Sequence, residues 1–193
     1  MKLNLPNKIT LSRIFLIPFI IFCYLAEFMP FGKLIALVLF VIAACTDFVD
    51  GYIARKNNQI TSLGKFLDPM ADKLLTMAAL FLVVADQTVI APYGVIFASI
   101  IIAREFLVSG LRQIAATKNV VMAADWFGKI KTIVQDIALP FYILLAFLNT
   151  LTGVSQTLLF SIEIIAFTLL AISVALTIFS GVNYFVKNKE VLK

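Results

Sequence analysis

A short stretch around residue 50 combines two carboxylates with two small residues. Asp47 and Asp50 are three positions apart, and Gly51 and Ala54 follow at helical spacing. In a helix these four positions share one face. Because residues 51 and 54 have almost no side chain, a ligand can come close to the backbone there. The pattern indicates a carboxylate-bearing face beside which a ligand binds.

A second row of carboxylates follows. Gly64, Asp68 and Asp72 are spaced four residues apart, so a helix places them on one side. Four clustered carboxylates repel one another unless cations separate them. The chain contains no His and only two Cys, which leaves oxygen atoms as ligands, and oxygen ligands favour Mg²⁺ or Mn²⁺ over zinc. The four aspartates therefore predict a divalent-metal site.

Each feature also has a simpler explanation. Asp68-Pro69 is a common helix start, with Asp as the N-cap and Pro in the first turn. The two small residues are typical of helix packing in membranes, and Asp47 has a possible ion-pair partner in Lys73. Together these explanations would leave four acids near a bilayer with too few cations, so we favour the metal site.

The composition indicates what kind of elements hold these residues. Of 193 residues, 62% are hydrophobic and 14% are charged, against about 45–50% and about 25% in soluble domains. The mean hydropathy is +1.02. These values predict an integral membrane protein that is all-α and has one domain, residues 1–193. The absence of His excludes Ser-His-Asp triads and imidazole acid–base chemistry, and two Cys exclude a disulfide framework.

Six hydrophobic segments predict six transmembrane helices. Their approximate bounds are 10–27, 34–54, 66–85, 89–111, 130–149 and 156–186, and residues 1–9 predict a short interfacial helix. The charge-free parts of the first three segments, 14–26, 34–46 and 74–85, cover only roughly 20 Å of a hydrocarbon core of roughly 30 Å. These helices must therefore carry charged residues into the membrane, facing a polar cavity or a cation.

Lysine and arginine predict the orientation. The formal net charge is +5, and with the N-terminus inside, the outer loops contain one basic residue, Lys33. The inner loops and tails contain Lys2, Lys8, Arg55, Lys56, Lys65, Arg112, Lys118, Lys129, Lys131, Lys187, Lys189 and Lys193. This bias places both termini in the cytoplasm and the aspartates at the inner membrane surface. We expect a multi-pass protein of a bacterial-type cytoplasmic membrane whose active site faces the cytoplasm.

Four cations in the second half of the chain predict an anion-binding pocket. Arg104 and Arg112 differ by about 80° around a helix and can share a side, and Lys129 and Lys131 open the next helix. Together they suit a dianionic phosphate. The alternatives are ordinary positive-inside charge and, for Arg104, pairing with Glu105 or with an aspartate.

The carboxylate pattern as a whole resembles a family signature. Asp47-x2-Asp50-Gly51-x2-Ala54-Arg55-x8-Gly64-x3-Asp68-x3-Asp72 is similar to that of the CDP-alcohol phosphotransferases, and the six-segment layout extends the resemblance over nearly the whole chain. The resemblance implies two divalent cations, Mg²⁺ or Mn²⁺, held by Asp47, Asp50, Asp68 and Asp72. It implies that Asp72 is also the general base. It further implies a homodimer, and contacts to the cytidine diphosphate donor by Asp47, Gly51, Ala54 and Arg55.

Two further stretches, 103–112 and 128–132, resemble the phosphatidylglycerophosphate-forming branch of that family. This resemblance implies CDP-diacylglycerol as donor, sn-glycerol 3-phosphate as acceptor, CMP as leaving product, and no nucleic-acid partner. One alternative keeps this chemistry with inositol phosphate as acceptor. Another is a divalent-cation transporter, which would not need small residues beside the acids and would need polar outer halves in its helices.

Overall fold

The computed structural model describes residues 5–56, 62–86, 88–90, 93–118 and 126–188, and for 5–6, 47–56, 62–63 and 65–66 it describes the backbone alone. All regular structure in these ranges is α-helical. The helices are α1 (Leu5–Leu25), α2 (Gly32–Lys56), α3 (Ser62–Ala85), α4 (Gly94–Thr117), α5 (Trp126–Leu148) and α6 (Gln156–Lys187). The prediction of an all-α protein with six helices is confirmed.

Four of these helices, α1, α4, α5 and α6, are long and apolar enough to cross a membrane within the described ranges. The other two are also long, because the 24 residues of α3 extend about 36 Å, but they include charged residues. In α3 these are Lys65, Asp68, Asp72 and Lys73. The chain is a multi-pass membrane protein in which two helices carry charges along their length.

The boundary of α1 differs from the prediction. Residues 5–9 continue α1 directly, so they do not form the separate interfacial helix expected over residues 1–9. Pro6 is compatible with this continuation because the first backbone N–H groups of a helix have no acceptor within it. Residues 1–4 lie outside the described ranges.

The fourth helix is shifted along the chain, from the predicted 89–111 to Gly94–Thr117. At the start, Thr88 donates through its backbone N and its Oγ1 to Asp86 Oδ1, at 3.1 and 2.6 Å. This turn engages Asp86, Thr88 and Val89 before a helix begins. At the end, the prediction stopped near Arg112 because hydropathy falls there, but a charge ends an apolar run without ending a helix. For the same reason α5 begins at Trp126 instead of residue 130.

A polar cluster ties one end of the bundle together. Asp86 Oδ2 accepts hydrogen bonds from Lys33 Nζ at 2.6 Å and from the Tyr24 hydroxyl at 3.0 Å, and Asn149 Nδ2 donates to the Thr88 carbonyl at 3.0 Å. We call these five residues the loop end. They join the ends of α1, α3 and α5 to the start of α2, so neighbouring helices in the chain alternate in direction.

Small residues allow the helices to approach closely. Ala36 and Ala43 of α2 and Ala138 and Ala146 of α5 are fully buried in the main core, as expected where membrane helices pack. At Gly32 a Cβ atom would run into the carbonyl oxygen of Cys23 on α1. Many large apolar side chains instead face outward, which is expected where the surroundings are lipid.

Candidate active site

The acidic row on α3 lies at the end of the bundle opposite the loop end. Asp68 and Asp72 are one helical turn apart, and the Thr10 hydroxyl of α1 donates to Asp68 Oδ1 at 2.8 Å. Thr10 is fully buried, so this bond fixes one oxygen of Asp68 against α1. Asp68 lies six residues after Ser62, the first residue of α3. The interpretation of Asp68-Pro69 as a helix start is therefore wrong.

The acidic row on α2 is described by its backbone. The helix runs without a break to Lys56, so residues 47–55 keep the helical spacing on which the motif depends. The side chains of Asp47, Asp50, Ala54 and Arg55, and the surroundings of Gly51, lie outside the described part of the chain. Of the four aspartates of the predicted metal site, the structure therefore describes the side chains of Asp68 and Asp72 on α3 and the helical backbone of Asp47 and Asp50 on α2.

A cavity of about 730 Å³ opens beside Asp72 and draws lining residues from all six helices. Its charged lining, among the described residues, comprises five cations and three carboxylates: Arg13, Lys73, Arg104, Arg112, Lys129, Asp72, Glu105 and Asp136. The cations outnumber the carboxylates, and a site of this charge favours an anionic ligand. One wall is apolar and is formed by α2 and α5, through Phe40, Val41, Ala44, Ile133, Ile137 and Phe141.

Arg104 is held on several sides. Its NH1 donates to Glu105 Oε1 at 3.0 Å and its NH2 donates to Ser180 Oγ on α6 at 3.1 Å. Two glycines make room for it, because a Cβ at Gly128 would lie 3.1 Å from NH2 and a Cβ at Gly181 would lie 3.2 Å from Cγ. Its buried Nε has no hydrogen-bond partner among the described residues, and such a donor lining a cavity is suited to a ligand oxygen.

Arg112 lies two turns further along α4 and contacts a different residue of α6. Its Nε donates to the Tyr184 hydroxyl at 3.0 Å, and its guanidinium carbon lies 5.5 Å from the centre of the Tyr184 ring. Tyr184 is buried, whereas Arg112 is exposed. The tyrosine therefore anchors one edge of an otherwise accessible guanidinium group.

Lys131 is separated from the other predicted cations. Its ammonium donates to Glu105 Oε1 at 2.7 Å, and its side chain is 2% exposed. It borders a narrow pocket of about 20 Å³ rather than the large cavity. Lys73 lies 3.8 Å from Glu105 Oε2 and donates to Ser109 Oγ. The structure thus brings Arg104, Arg112 and Lys129 to the cavity and holds Lys131 behind them against Glu105.

The sequence did not single out several residues of the cavity for a role. Arg13 is 1% exposed and lines the cavity. Asp136 is a charge within an apolar helix, a signal that was available and not used. Tyr184 and Ser180 gave no signal, because a tyrosine and a serine are ordinary residues near the end of a membrane helix.

The chain is similar over nearly its whole length to known proteins. The family described as CDP-alcohol phosphatidyltransferase matches residues 3–179. A protein of Bacillus subtilis (strain 168), named CDP-diacylglycerol–glycerol-3-phosphate 3-phosphatidyltransferase, is 44% identical over 203 aligned residues, covering 98% of this chain and 97% of the relative. Proteins of the same name from Rickettsia bellii (strain RML369-C) and Yersinia enterocolitica are 38% and 37% identical, covering 94% and 95% of this chain and 93% and 94% of the relatives.

Proposed function

The chain belongs to the CDP-alcohol phosphatidyltransferase family, and we propose on this basis that it transfers the phosphatidyl group of CDP-diacylglycerol to sn-glycerol 3-phosphate. The products are phosphatidylglycerophosphate and CMP. The relatives that carry this activity in their names align with nearly the whole chain, which supports the same acceptor here.

The observation that carries the proposal is the single cavity that joins Asp72 to Arg104, Arg112 and Lys129. A glycerol phosphate acceptor needs a base near its hydroxyl and cations around its phosphate. The cavity supplies a carboxylate on α3 and cations on α4 and α5. A serine or choline acceptor would have no use for these cations.

The proposed chemistry follows from these groups. A hydroxyl oxygen of the acceptor attacks the phosphorus that bears the diacylglycerol, and the bond from that phosphorus to the bridging oxygen of CMP breaks. The hydroxyl proton passes to the carboxylate of Asp72, because no His is present to accept it. Arg104, Arg112 and Lys129 hold the acceptor's phosphate, and the ion pair with Glu105 keeps Lys131 at the back of this site.

The donor side is assigned to α2. We propose that Asp47, Gly51, Ala54 and Arg55 contact the cytidine diphosphate portion, because their helical positions continue the acidic row. The donor's acyl chains lie along the apolar wall between α2 and α5. The donor therefore enters sideways from the lipid, and the acceptor enters from the cytoplasm.

Members of this family generally depend on a divalent cation. The described residues supply two candidate ligands for such an ion: Asp68 and Asp72 carry carboxylates at adjacent turns of α3, and one oxygen of Asp68 is oriented by Thr10. We propose that these two residues, with Asp47 and Asp50, hold two ions, Mg²⁺ or Mn²⁺. When bound, the ions would neutralise the donor's pyrophosphate and stabilise the departing CMP.

The placement in the cell is also a proposal. We propose a bacterial cytoplasmic membrane, both termini in the cytoplasm and a homodimer. Single cysteines placed at Asn58 and Asn119, in a protein whose Cys23 and Cys45 are replaced by Ala, should react with an impermeant maleimide only after the cells are opened. A cysteine at Thr150 should react in intact cells. Labelling at residue 58 from outside intact cells would reverse the orientation.

The activity is tested with the purified protein in detergent, by measuring CMP release from CDP-diacylglycerol. We expect release with glycerol 3-phosphate and formation of phosphatidylglycerophosphate, identified by mass spectrometry. Release with inositol phosphate and not with glycerol 3-phosphate would assign the other acceptor. A protein that releases no CMP with either acceptor, yet carries Mn²⁺ into liposomes, would be a transporter.

A further inference from the structure

We propose that one face of α6 sets the direction of the two arginines of α4, with Ser180 and Tyr184 as positioning residues for the acceptor's phosphate. The inference rests on the proposed function, because it assumes that Arg104 and Arg112 bind that phosphate. Neither residue of α6 needs to touch the substrate. Each acts through the guanidinium group it holds.

The two pairs of residues meet although their spacings along the helices differ. Ser180 and Tyr184 are one turn apart on α6, and Arg104 and Arg112 are two turns apart on α4. Each arginine donates to one of the two hydroxyl oxygens, at 3.1 and 3.0 Å. Because a long arginine side chain spans the difference in spacing, a single rigid helix face holds both charged groups.

The bond to Tyr184 determines which edge of Arg112 can meet a ligand. A guanidinium group binds phosphate in a bidentate manner through its two terminal nitrogens or through Nε and one terminal nitrogen. Since Nε of Arg112 is engaged by Tyr184, the edge formed by the two terminal nitrogens is the one left for phosphate. The Tyr184 hydroxyl therefore leaves phosphate an end-on approach to Arg112, through its two terminal nitrogens.

The hydrogen bond to Ser180 fixes how far the guanidinium group of Arg104 extends toward α6. The Ser180 hydroxyl donates to the Thr177 carbonyl at 3.3 Å, which leaves its oxygen lone pairs for Arg104. Ser180 is fully buried, and the glycine that follows it allows the Arg104 stem to pass. Together with Glu105, this arrangement holds Arg104 before any ligand arrives, and such preorganisation lowers the entropic cost of binding.

The positioning role can be separated from packing. The Tyr184 ring packs against Val108, Leu111 and Ala115 of α4, so Tyr184→Phe keeps the ring and removes only the hydroxyl. Tyr142→Phe is a matched control, because Tyr142 is 1% exposed, lies on α5 away from both arginines and has no hydrogen bond among the described residues. Ser173→Ala is the matched control for Ser180→Ala, since Ser173 is equally buried and its hydroxyl has no hydrogen-bond partner in the part of the chain that the structure describes.

The experiment measures KM for glycerol 3-phosphate and for CDP-diacylglycerol separately. Because the lost hydrogen bond holds an arginine and does not reach the substrate, only part of the binding contribution of that arginine should be lost, and the KM for glycerol 3-phosphate should rise about 3- to 10-fold in Tyr184→Phe and in Ser180→Ala. The KM for CDP-diacylglycerol should stay within about 2-fold, and both control variants should match the wild type. Equal effects on the two substrates, or effects no larger than those of the controls, would overturn the proposal.

A second measurement tests the route through Arg112. In an Arg112→Ala background, Tyr184→Phe should change neither KM further, because the group it positions is gone. A full additional effect would show that Tyr184 does not act through Arg112. If the wild type proves to use an acceptor other than glycerol 3-phosphate, the proposed function fails, and the same comparison with the true acceptor still decides the role of Tyr184.

Discussion

Replacing Glu105 by Gln should destabilise the protein more than removing the lysine it contacts. Glu105 accepts hydrogen bonds from Arg104 and Lys131 and lies 3.8 Å from Lys73. The Lys131 side chain is 2% exposed, so Glu105→Gln leaves a buried ammonium without the carboxylate that contacts it. Breaking such a pair from one side costs about 3–5 kcal/mol.

The reverse change should cost less. In Lys131→Met the carboxylate keeps Arg104 and Lys73, and Met fills most of the space of the lysine stem, so we expect about 1–2 kcal/mol. In the double variant no unpaired ammonium remains. The double variant should therefore lose less unfolding free energy than the two single variants lose together. Its stability should lie close to that of Lys131→Met.

The assay is unfolding by SDS in mixed micelles, followed by far-ultraviolet circular dichroism. Glu163→Gln serves as the control, because Glu163 is an exposed carboxylate of α6 with no ion pair within the described ranges. It should change the unfolding free energy by less than about 0.5 kcal/mol. If Lys131→Met costs as much as Glu105→Gln, or if the two changes simply add, Glu105 does not neutralise Lys131 in the way the contacts indicate.

Three further predictions concern other parts of the molecule. Arg112→Ala should lower kcat/KM for glycerol 3-phosphate about 10- to 150-fold, because a charge-assisted hydrogen bond contributes about 1.5–3 kcal/mol. If the saturation curves are unchanged, Arg112 does not bind the acceptor and is only one of the positive charges that orient the protein in the membrane. Asp68→Asn should abolish CMP release while the circular dichroism spectrum is retained. In the wild type, EDTA should abolish the release in the same way until Mg²⁺ or Mn²⁺ is added. Full activity in EDTA would exclude a metal-dependent reaction. At the loop end, burial alone would raise the pKa of Asp86, but hydrogen bonds from Lys33 and Thr88 and the Lys33 charge lower it below its usual 3.8. Asp86→Asn should therefore lower the free energy of unfolding by about 1 kcal/mol at neutral pH. This difference from the wild type should vanish as the pH falls through the lowered pKa of Asp86. If the difference stays constant down to low pH, the charge of the carboxylate does not contribute to stability.

The fold could be predicted because apolar runs and turn residues mark helices directly. Six segments gave six helices, and the charged first half of α3 was expected from its short charge-free stretch. The ends of α4 could not be predicted in this way. The turn at Asp86 depends on hydrogen bonds that Thr88 donates to its carboxylate, and the last turns of α4 stay helical although Arg112, Gln113 and Thr117 interrupt the apolar run.

The residues of the site can also be divided into those that the sequence predicted and those whose contacts it did not predict. Asp72, Arg104, Arg112 and Lys129 were found because their charges stand out against apolar sequence, and the structure lines one cavity with them. The pairing of Lys131 was not foreseen, because its partner, Glu105, lies 26 residues earlier in the chain. Contacts between distant helices depend on how the helices pack, and residue spacing along one helix does not report them.

The loop end also determines where the bundle can change shape. Hydrogen bonds from Tyr24, Lys33 and Asn149 fasten four helix ends together there, whereas the opposite end surrounds a cavity. A helix that pivots about its fastened end moves little near the pivot and most at its free end. For a helix about 36 Å long, a tilt of about 5° displaces the far end by about 3 Å. A tilt of this size would widen the bundle at the cavity, and the hydrogen bonds that cross that end, from Thr10 to Asp68, from Arg104 to Ser180 and from Arg112 to Tyr184, are the contacts that limit it.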